Sequence, residues 1–307
     1  MRREITLSEI ESGMLADVKH VIRISRPRFW MYTVGPYILG TFAAAPSHTT
    51  FVSARFWIYL LLFVIAANVL IYGVNDLADT DTDLHNDKKG TYEVRLQKQQ
   101  RAATVVACGL AFGALIVSVV GQSVLTASLM GIFLVLSIGY SVPPLRFKAR
   151  PVFDSVSNVL YAMPGFIAAS VWASTSGISI NTVAASWLWC MAMHTFSAIP
   201  DVSADKKANL ATTATWLGTR GALVYCGACW FVSAVLLGVT LSNVLFGVIW
   251  AVILGCAYLA MITSCLLRGA SEKVAFYHYR IFPVINAVAG FGTTMVVLAM
   301  RWPQLHP

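Results

Sequence analysis

Residues 55–83 read RFWIYLLLFVIAANVLIYGVNDLADTDTD. An apolar run of roughly twenty residues, enough to cross the ~30 Å hydrocarbon layer as a helix, leads directly into a cluster of carboxylates. The run predicts a transmembrane helix over 55–74, and the acids mark where the chain leaves the membrane. The same alternation of apolar run and charged or turn-rich break predicts further helices at 28–46, 102–119, 121–140, 154–172, 181–200, 219–239, 241–263 and 280–300. Across the 307 residues, 57% are AVILMFWYC and only 12% are DEKR, against ~25% charged in a soluble domain. The expectation is an all-α polytopic membrane protein: a bundle of about nine transmembrane helices over 28–301, preceded by a cytoplasmic segment over 1–27.

Composition excludes a soluble globular domain, and connections as short as 47–54 and 173–180 leave no room for an extramembrane receptor domain. Met1 to His20 is polar and amphipathic, with no short apolar run and small-residue cleavage site, so no cleaved leader is expected. Within it, Leu7, Ile10, Met14 and Leu15 share one helical face, as in a helix lying on the membrane interface; an unstructured tail is the alternative.

The net charge of +8 would suggest nucleic acid in a soluble protein, but its placement gives it another meaning. Of the 22 Lys and Arg residues, only Arg55 and Arg301 lie away from the N-terminal segment and the 75–101, 141–153, 201–220 and 264–280 segments. With an odd number of crossings these all share one face, which the positive-inside rule makes cytoplasmic. All 14 acids fall on that side or at its boundary, although orientation does not require acids there. Chemistry that needs carboxylates is therefore expected at the cytoplasmic mouth of the bundle. The protein is expected in the cell membrane, with membrane lipid around it and no nucleic-acid partner. The six cysteines fall almost entirely in apolar runs, where they act as small packing groups. Cys226 and Cys229 form a C-x-x-C without a nearby His or acid, so packing is expected rather than metal or redox chemistry.

Asn75, Asp79 and Asp83 recur at intervals of four, which aligns three oxygen-bearing side chains on one helix face. Asp76 and Asp81 crowd the same run, and so many carboxylates at a membrane boundary call for a divalent counter-charge. Hard oxygen donors suit Mg²⁺, which pairs one or two carboxylates with water and substrate phosphates. A second pair, Asp201 and Asp205, stands at the same spacing where the 181–200 helix emerges on the same face. Two facing clusters can clamp a diphosphate through two metal ions. In the 140–150 connection Arg146 and Lys148 alternate with apolar residues, so both are expected to point into one site or, as the alternative, to set orientation. Lys88, Lys89, Lys206 and Lys207 follow the acid clusters.

Asn75-Asp76-x-x-Asp79-x-x-x-Asp83, the Tyr140-Ser-x-Pro-Pro-x-Arg-Phe-Lys148 segment, and Asp201-x-x-x-Asp205 followed by Thr213-Ala214-x-x-Leu217-Gly218 resemble the intramembrane (UbiA-type) aromatic prenyltransferase superfamily typified by 4-hydroxybenzoate polyprenyltransferase. Within it, Tyr72-Gly-Val-Asn-Asp76, the run ending Asn86-Asp87-Lys88-Lys89, and His194-Thr-Phe-Ser-Ala-Ile-Pro-Asp201 are most similar to lycopene elongases of C50 carotenoid synthesis. The crowded acids Asp76 and Asp81 exceed the family pattern, which needs Asp79 and Asp83 most. The resemblance implies a central cavity with both Asp-rich motifs at its cytoplasmic mouth and a lateral opening to lipid. It implies a Mg²⁺-dependent transfer of a dimethylallyl group from its diphosphate to lycopene or a related polyene. Metal ligation then falls to Asn75, Asp76, Asp79, Asp83, Asp201 and Asp205. Diphosphate binding falls to Asn68, Asn75, Tyr140, Arg146, Lys148 and Arg28, with His194 or an Asp of the second cluster as acceptor of the final proton; a satisfied core histidine is the alternative for His194, two turns before Asp201.

Asn68, two turns before Asn75, can alternatively bond a neighbouring helix. Asp154 and Asn158 open the 154–172 helix and either support Lys148 or serve as cap and packing amide. Arg26 and Arg28 flank Pro27, and contact with diphosphate or simple orientation are both open to them. Trp30, Tyr32, Trp172, Trp187 and Trp189 are expected chiefly at the membrane interface. Competing functions are prenyl transfer to an aromatic or quinone-precursor acceptor, and a transporter with carboxylates on an ion path. Transporters usually place coupling groups near the bilayer midplane, whereas the acids here sit at one mouth. The cavity beyond the diphosphate is expected to be apolar, because the predicted helices hold no Lys or Arg away from their ends.

Overall fold

The computed structural model describes residues 7–78, 96–173 and 178–305. Asp79, Asp81, Asp83, Lys88 and Lys89 lie outside those described residues. Among the described residues the chain is helical, without strands. An N-terminal helix α1 (Leu7–Ile24) leads through a turn to α2 (Met31–Ala44). Then follow α3 (Ala54–Ala78), α4 (Arg101–Val117), α5 (Val124–Gly139), α6 (Met163–Trp172), α7 (Ile180–Ala198), α8 (Thr213–Thr240), α9 (Leu245–Leu267) and α10 (Glu272–Leu305). Each predicted transmembrane segment thus has a helical counterpart, and five helices are long and apolar enough by themselves to cross a membrane. The protein is an all-α integral membrane protein.

Outward-facing side chains match that setting: Leu110 is 70% exposed, Val124 84% and Phe291 68%. Such exposure costs nothing where the surrounding solvent is hydrocarbon. Inside, two apolar clusters form. One gathers Tyr37, Phe63, Leu70, Phe133 and Ile167 from α2 to α6, and the other gathers Phe196, Trp230, Tyr258 and Phe282 from α7 to α10. α10 packs back on α2 and closes the ring, tied by Asn286 Nδ2 donating to Tyr32 Oη at 3.0 Å and by Arg301 donating to the Ala45 carbonyl at 2.9 Å. α2 and α6 cross closely because glycines face each other: a methyl group on Gly40 would fall 2.1 Å from the Gly165 carbonyl oxygen.

Several helices depart from the predicted limits for identifiable reasons. The expected 154–172 helix is broken into a short turn (Phe153–Val156), a 3₁₀ stretch (Ser157–Tyr161) and α6, because Pro164 has no N–H to continue the α ladder. α8 begins at Thr213 and bends at Gly218, whose φ of +69° suits glycine. α10 starts at Glu272, since a helix can carry polar residues beyond the membrane boundary at which a hydropathy reading stops. α1 is a helix packed on α3 and α4 rather than an unstructured tail. His20, 5% exposed, bonds Thr104 Oγ1 through Nε2 at 2.8 Å.

Candidate active site

The seam between the two halves of the ring encloses a cavity of about 250 Å³. Its wall comes from the turn before α2 (Arg26, Phe29), from α2 (Tyr32), from α3 (Ile71, Tyr72, Asn75) and from Tyr140 at the end of α5. Asn158, Leu160 and Tyr161 precede α6, Met193, His194 and Ser197 belong to α7, and Tyr279, Phe282 and Pro283 to α10. Every polar contributor sits at the end of its helix that faces the predicted cytoplasmic side.

The α5–α6 connection places one buried cation. Its chain does not stay extended: Arg146 adopts a left-handed conformation and a 3₁₀ turn follows over Phe147–Ala149. The alternation that would point Arg146 and Lys148 the same way is lost. The Lys148 N–H instead donates to the Tyr140 carbonyl at 3.0 Å, which folds Lys148 under the end of α5. Lys148 is 8% exposed, and its ammonium donates to Asn75 Oδ1 at 3.2 Å. Neither Arg146 nor Lys148 forms part of the cavity wall itself; Lys148 stands behind Asn75, which does.

An ammonium has only donors, so it fixes the orientation of the Asn75 amide. Ser141 Oγ donates to the same oxygen at 2.9 Å. The carbonyl oxygen is thereby satisfied, and the NH₂ group is the face Asn75 has left to present. An NH₂ group presented in this way can donate to an anionic oxygen. Asp76, 2% exposed, accepts from Arg26 Nη2 at 2.8 Å. Arg26 also lies over the Tyr72 ring, 4.7 Å from its centroid. Of the two arginines flanking Pro27, it is Arg26 that reaches the cavity; Arg28 is exposed and stacks on Phe29.

Asn68 is fully buried and off the wall. A π-helical turn over Leu62–Ala66 loosens the carbonyl ladder of α3, and Asn68 Nδ2 donates to the Phe63 and Val64 carbonyls at 2.9 and 3.0 Å and to Thr33 Oγ1 at 2.8 Å. In place of diphosphate it holds a helix irregularity. Trp189 likewise is no interface anchor: its indole N–H donates to Tyr258 Oη at 3.0 Å, and Tyr258 in turn donates to Asn286 Oδ1 at 2.9 Å.

His194 lines the cavity, with Nε2 3.4 Å from Tyr140 Oη and 3.6 Å from Asp154 Oδ2. Asp154 thus faces His194 rather than Lys148. The rest of the wall is aromatic but not wholly apolar, contrary to expectation. Its phenols find partners within the wall or just behind it, as in Tyr72 Oη to Tyr161 Oη at 3.2 Å and Asn286 to Tyr32, which leaves the ring faces to meet a guest. Tyr72 entered the sequence reading only as the start of a motif, and Tyr161 and Tyr279 escaped it, although Tyr161 lies two turns after Asp154.

Both acid motifs continue from cavity-lining positions. Asp79 follows Asn75 by four residues and Asp201 follows Ser197 by four. Asp201 and Asp205, both half-buried, flank the start of a short helix (Val202–Lys207). Among the described residues no three His, Cys, Asp or Glu side chains gather into a metal site; the first acid motif lies outside them. The donors assigned to this mouth are all oxygens, a set that fits Mg²⁺.

The sequence pattern of the UbiA prenyltransferase family matches residues 33–282. The lycopene elongase/hydratase of Haloarcula japonica is 37% identical over 289 residues, covering 94% of this chain and 92% of its own. That of Corynebacterium glutamicum is 28% identical, covering 94% and 99%. Among solved structures, a UbiA homologue from Archaeoglobus fulgidus bound to DMAPP and Mg²⁺ superposes with a TM-score of 0.68 at 19% identity, covering 91% of this chain and 99% of its own. An apo UbiA homologue from Aeropyrum pernix K1 gives 0.69 at 16%, covering 88% and 99%.

Proposed function

The chain belongs to the UbiA prenyltransferase family and transfers prenyl groups, and from that premise we propose that its donor is dimethylallyl diphosphate and its acceptor the end of lycopene or a related polyene. The observation that carries the donor is the cavity. At about 250 Å³ it is smaller than the ~300–1,000 Å³ of common ligand sites, room for a five-carbon group and one tip of an acceptor whose remainder lies in lipid. The curated relatives named lycopene elongase/hydratase support the acceptor.

In this reading Lys148 and the Asn75 NH₂ donate to the diphosphate, bonds that strengthen as the leaving oxygen gains charge. Mg²⁺ held by Asp79, Asp83, Asp201 and Asp205, two ions by the pairing of the motifs, supplies the remaining positive charge. The ring faces of Tyr32, Tyr72 and Tyr161 stabilise an allylic cation while the apolar wall keeps bulk water from it. An acceptor double bond attacks that cation, and the resulting tertiary cation is resolved by loss of a proton or by capture of water.

Expression in a lycopene-producing host, followed by mass analysis of pigments, tests this. Five-carbon additions to lycopene are expected. In membranes given dimethylallyl diphosphate together with small aromatic acids, no prenylated acid is expected. A prenylated acid with lycopene unchanged would replace the acceptor and leave the family intact.

A further inference from the structure

We propose that Asp154 is a positioning residue for the final proton transfer: anchored by Thr213, it fixes the His194 imidazole as the group that takes the proton released when the last cation is resolved. The inference rests on the prenyltransferase reading above and assigns that reaction a base and the base's support.

Asp154 is 0% exposed. Thr213 holds both of its oxygens from the start of α8, the N–H donating to Oδ2 at 2.9 Å and the hydroxyl to Oδ1. A carboxylate accepting at both oxygens shows the pattern of the ionised form. Asn158 bonds the main-chain carbonyl of Asp154 and leaves the carboxylate alone. His194 Nε2, 3.6 Å from Oδ2, is its one partner of possible positive charge among the described residues. A helix cap alone would be served equally by a neutral side chain. Here a buried anion is aimed at the only imidazole that the described residues place on the cavity wall. Tyr140 closes the same side of the ring, edge-to-face, with its hydroxyl 3.4 Å from Nε2.

With carboxylate and phenol both at Nε2, the favoured tautomer carries its proton there and keeps the lone pair on Nδ1. Once the acceptor double bond has attacked the allylic cation, either an adjacent C–H bond breaks to form C=C, or a C–O bond forms to water and the oxonium sheds a proton. One proton leaves in both cases. Nδ1 accepts it with its lone pair, and the imidazolium so formed is balanced by Asp154 in a site poor in water. No oxidant or reductant is needed. Asp154 acts through His194 and need not touch the substrate.

The test uses the full chain in lycopene-containing membranes supplied with dimethylallyl diphosphate, comparing Asp154→Asn, His194→Gln and the double variant. His194→Gln is expected to lower kcat on the order of 10²-fold, within the range for a general base. Asp154→Asn should lower it ~10–100-fold, as for loss of an orienting carboxylate. The KM for the donor should stay within about twofold in both, and the double variant should be no slower than His194→Gln. A purely structural Asp154 predicts instead that the losses multiply, and that result overturns the proposal, as does wild-type kcat in Asp154→Asn. If Asp154→Asn does not accumulate, Thr213→Val keeps the carboxylate but loosens it, and its kcat loss must likewise vanish in the His194→Gln background. A wild-type chain that transfers nothing to any acceptor would defeat the prenyltransferase reading itself, a different outcome from an active enzyme indifferent to Asp154.

Discussion

Arg26 and Asp76 meet at 2.8 Å with side-chain exposures of 13% and 3%, so the carboxylate is shielded from water while the guanidinium borders the cavity. Arg26→Ala would strip the buried Asp76 carboxylate of its guanidinium, a loss on the order of 3 kcal/mol; Asp76→Asn in the same chain should recover most of it. Thermal unfolding in detergent checks both, and equal stability of Arg26→Ala and the double variant would show that the pair carries little. In the proposed reading the Lys148 ammonium serves bound and departing diphosphate alike, so Lys148→Gln should raise the donor KM and lower turnover together. Asp201→Ala and Asp205→Ala should each cost on the order of 10²-fold in kcat or more, with EDTA reproducing the loss and added Mg²⁺ reversing it. Full activity in chelator would end the metal assignment.

At the scale of the element, α1 docks through His20, whose pKa lies below its ordinary 6.5. Burial is the main cause; Arg23 adds to it, and Asp17 and Asp76 oppose it. A histidine held neutral by folding takes up fewer protons in the folded than in the unfolded state. Its contribution is therefore complete above about pH 6.5 and is lost as pH falls from there toward the folded value. The protection of α1 amides, taken as the exchange rate relative to the intrinsic rate at each pH, should fall below that pH in the wild type, and His20→Gln, which keeps a bond to Thr104 without titrating, should flatten the response. The α2–α6 crossing is more rigid. Gly40→Ala drives a methyl group into the Gly165 carbonyl and should cost at least the ~1–3 kcal/mol of an overpacked core. The helices would have to part at the wall that holds Tyr32 and Tyr161, so activity should fall with stability.

For the molecule as a whole, the distribution of Lys and Arg predicts that the mouth of the cavity faces the cytoplasm. A cysteine at position 203, beside the second acid motif, should react with an impermeant thiol reagent only from the cytoplasmic side. One at position 47, in the α2–α3 connection, should react only from the other. The native thiols are buried except Cys256, so Cys256→Ser gives a clean background. Labelling of both positions from one side would overturn the topology.

The sequence by itself determined the helical membrane fold, because length and hydropathy are local properties that survive without coordinates, and its motifs carried the resemblance to the family. It also singled out Asn75, Lys148, His194 and Asp201, each at a helix end or in a motif of fixed spacing. Only the tertiary structure decided which side chains share the cavity. Arg26 rather than Arg28 enters it because the turn around Pro27 sends the two apart, and Arg146 leaves it because a left-handed residue breaks an alternation that assumed extended chain. Asn68 is taken up by a π turn that no periodicity announces. The Asp154–Thr213 anchor joins residues 59 positions apart, and it forms because packing between distant helices, which local spacing does not encode, brings α8 against the break before α6.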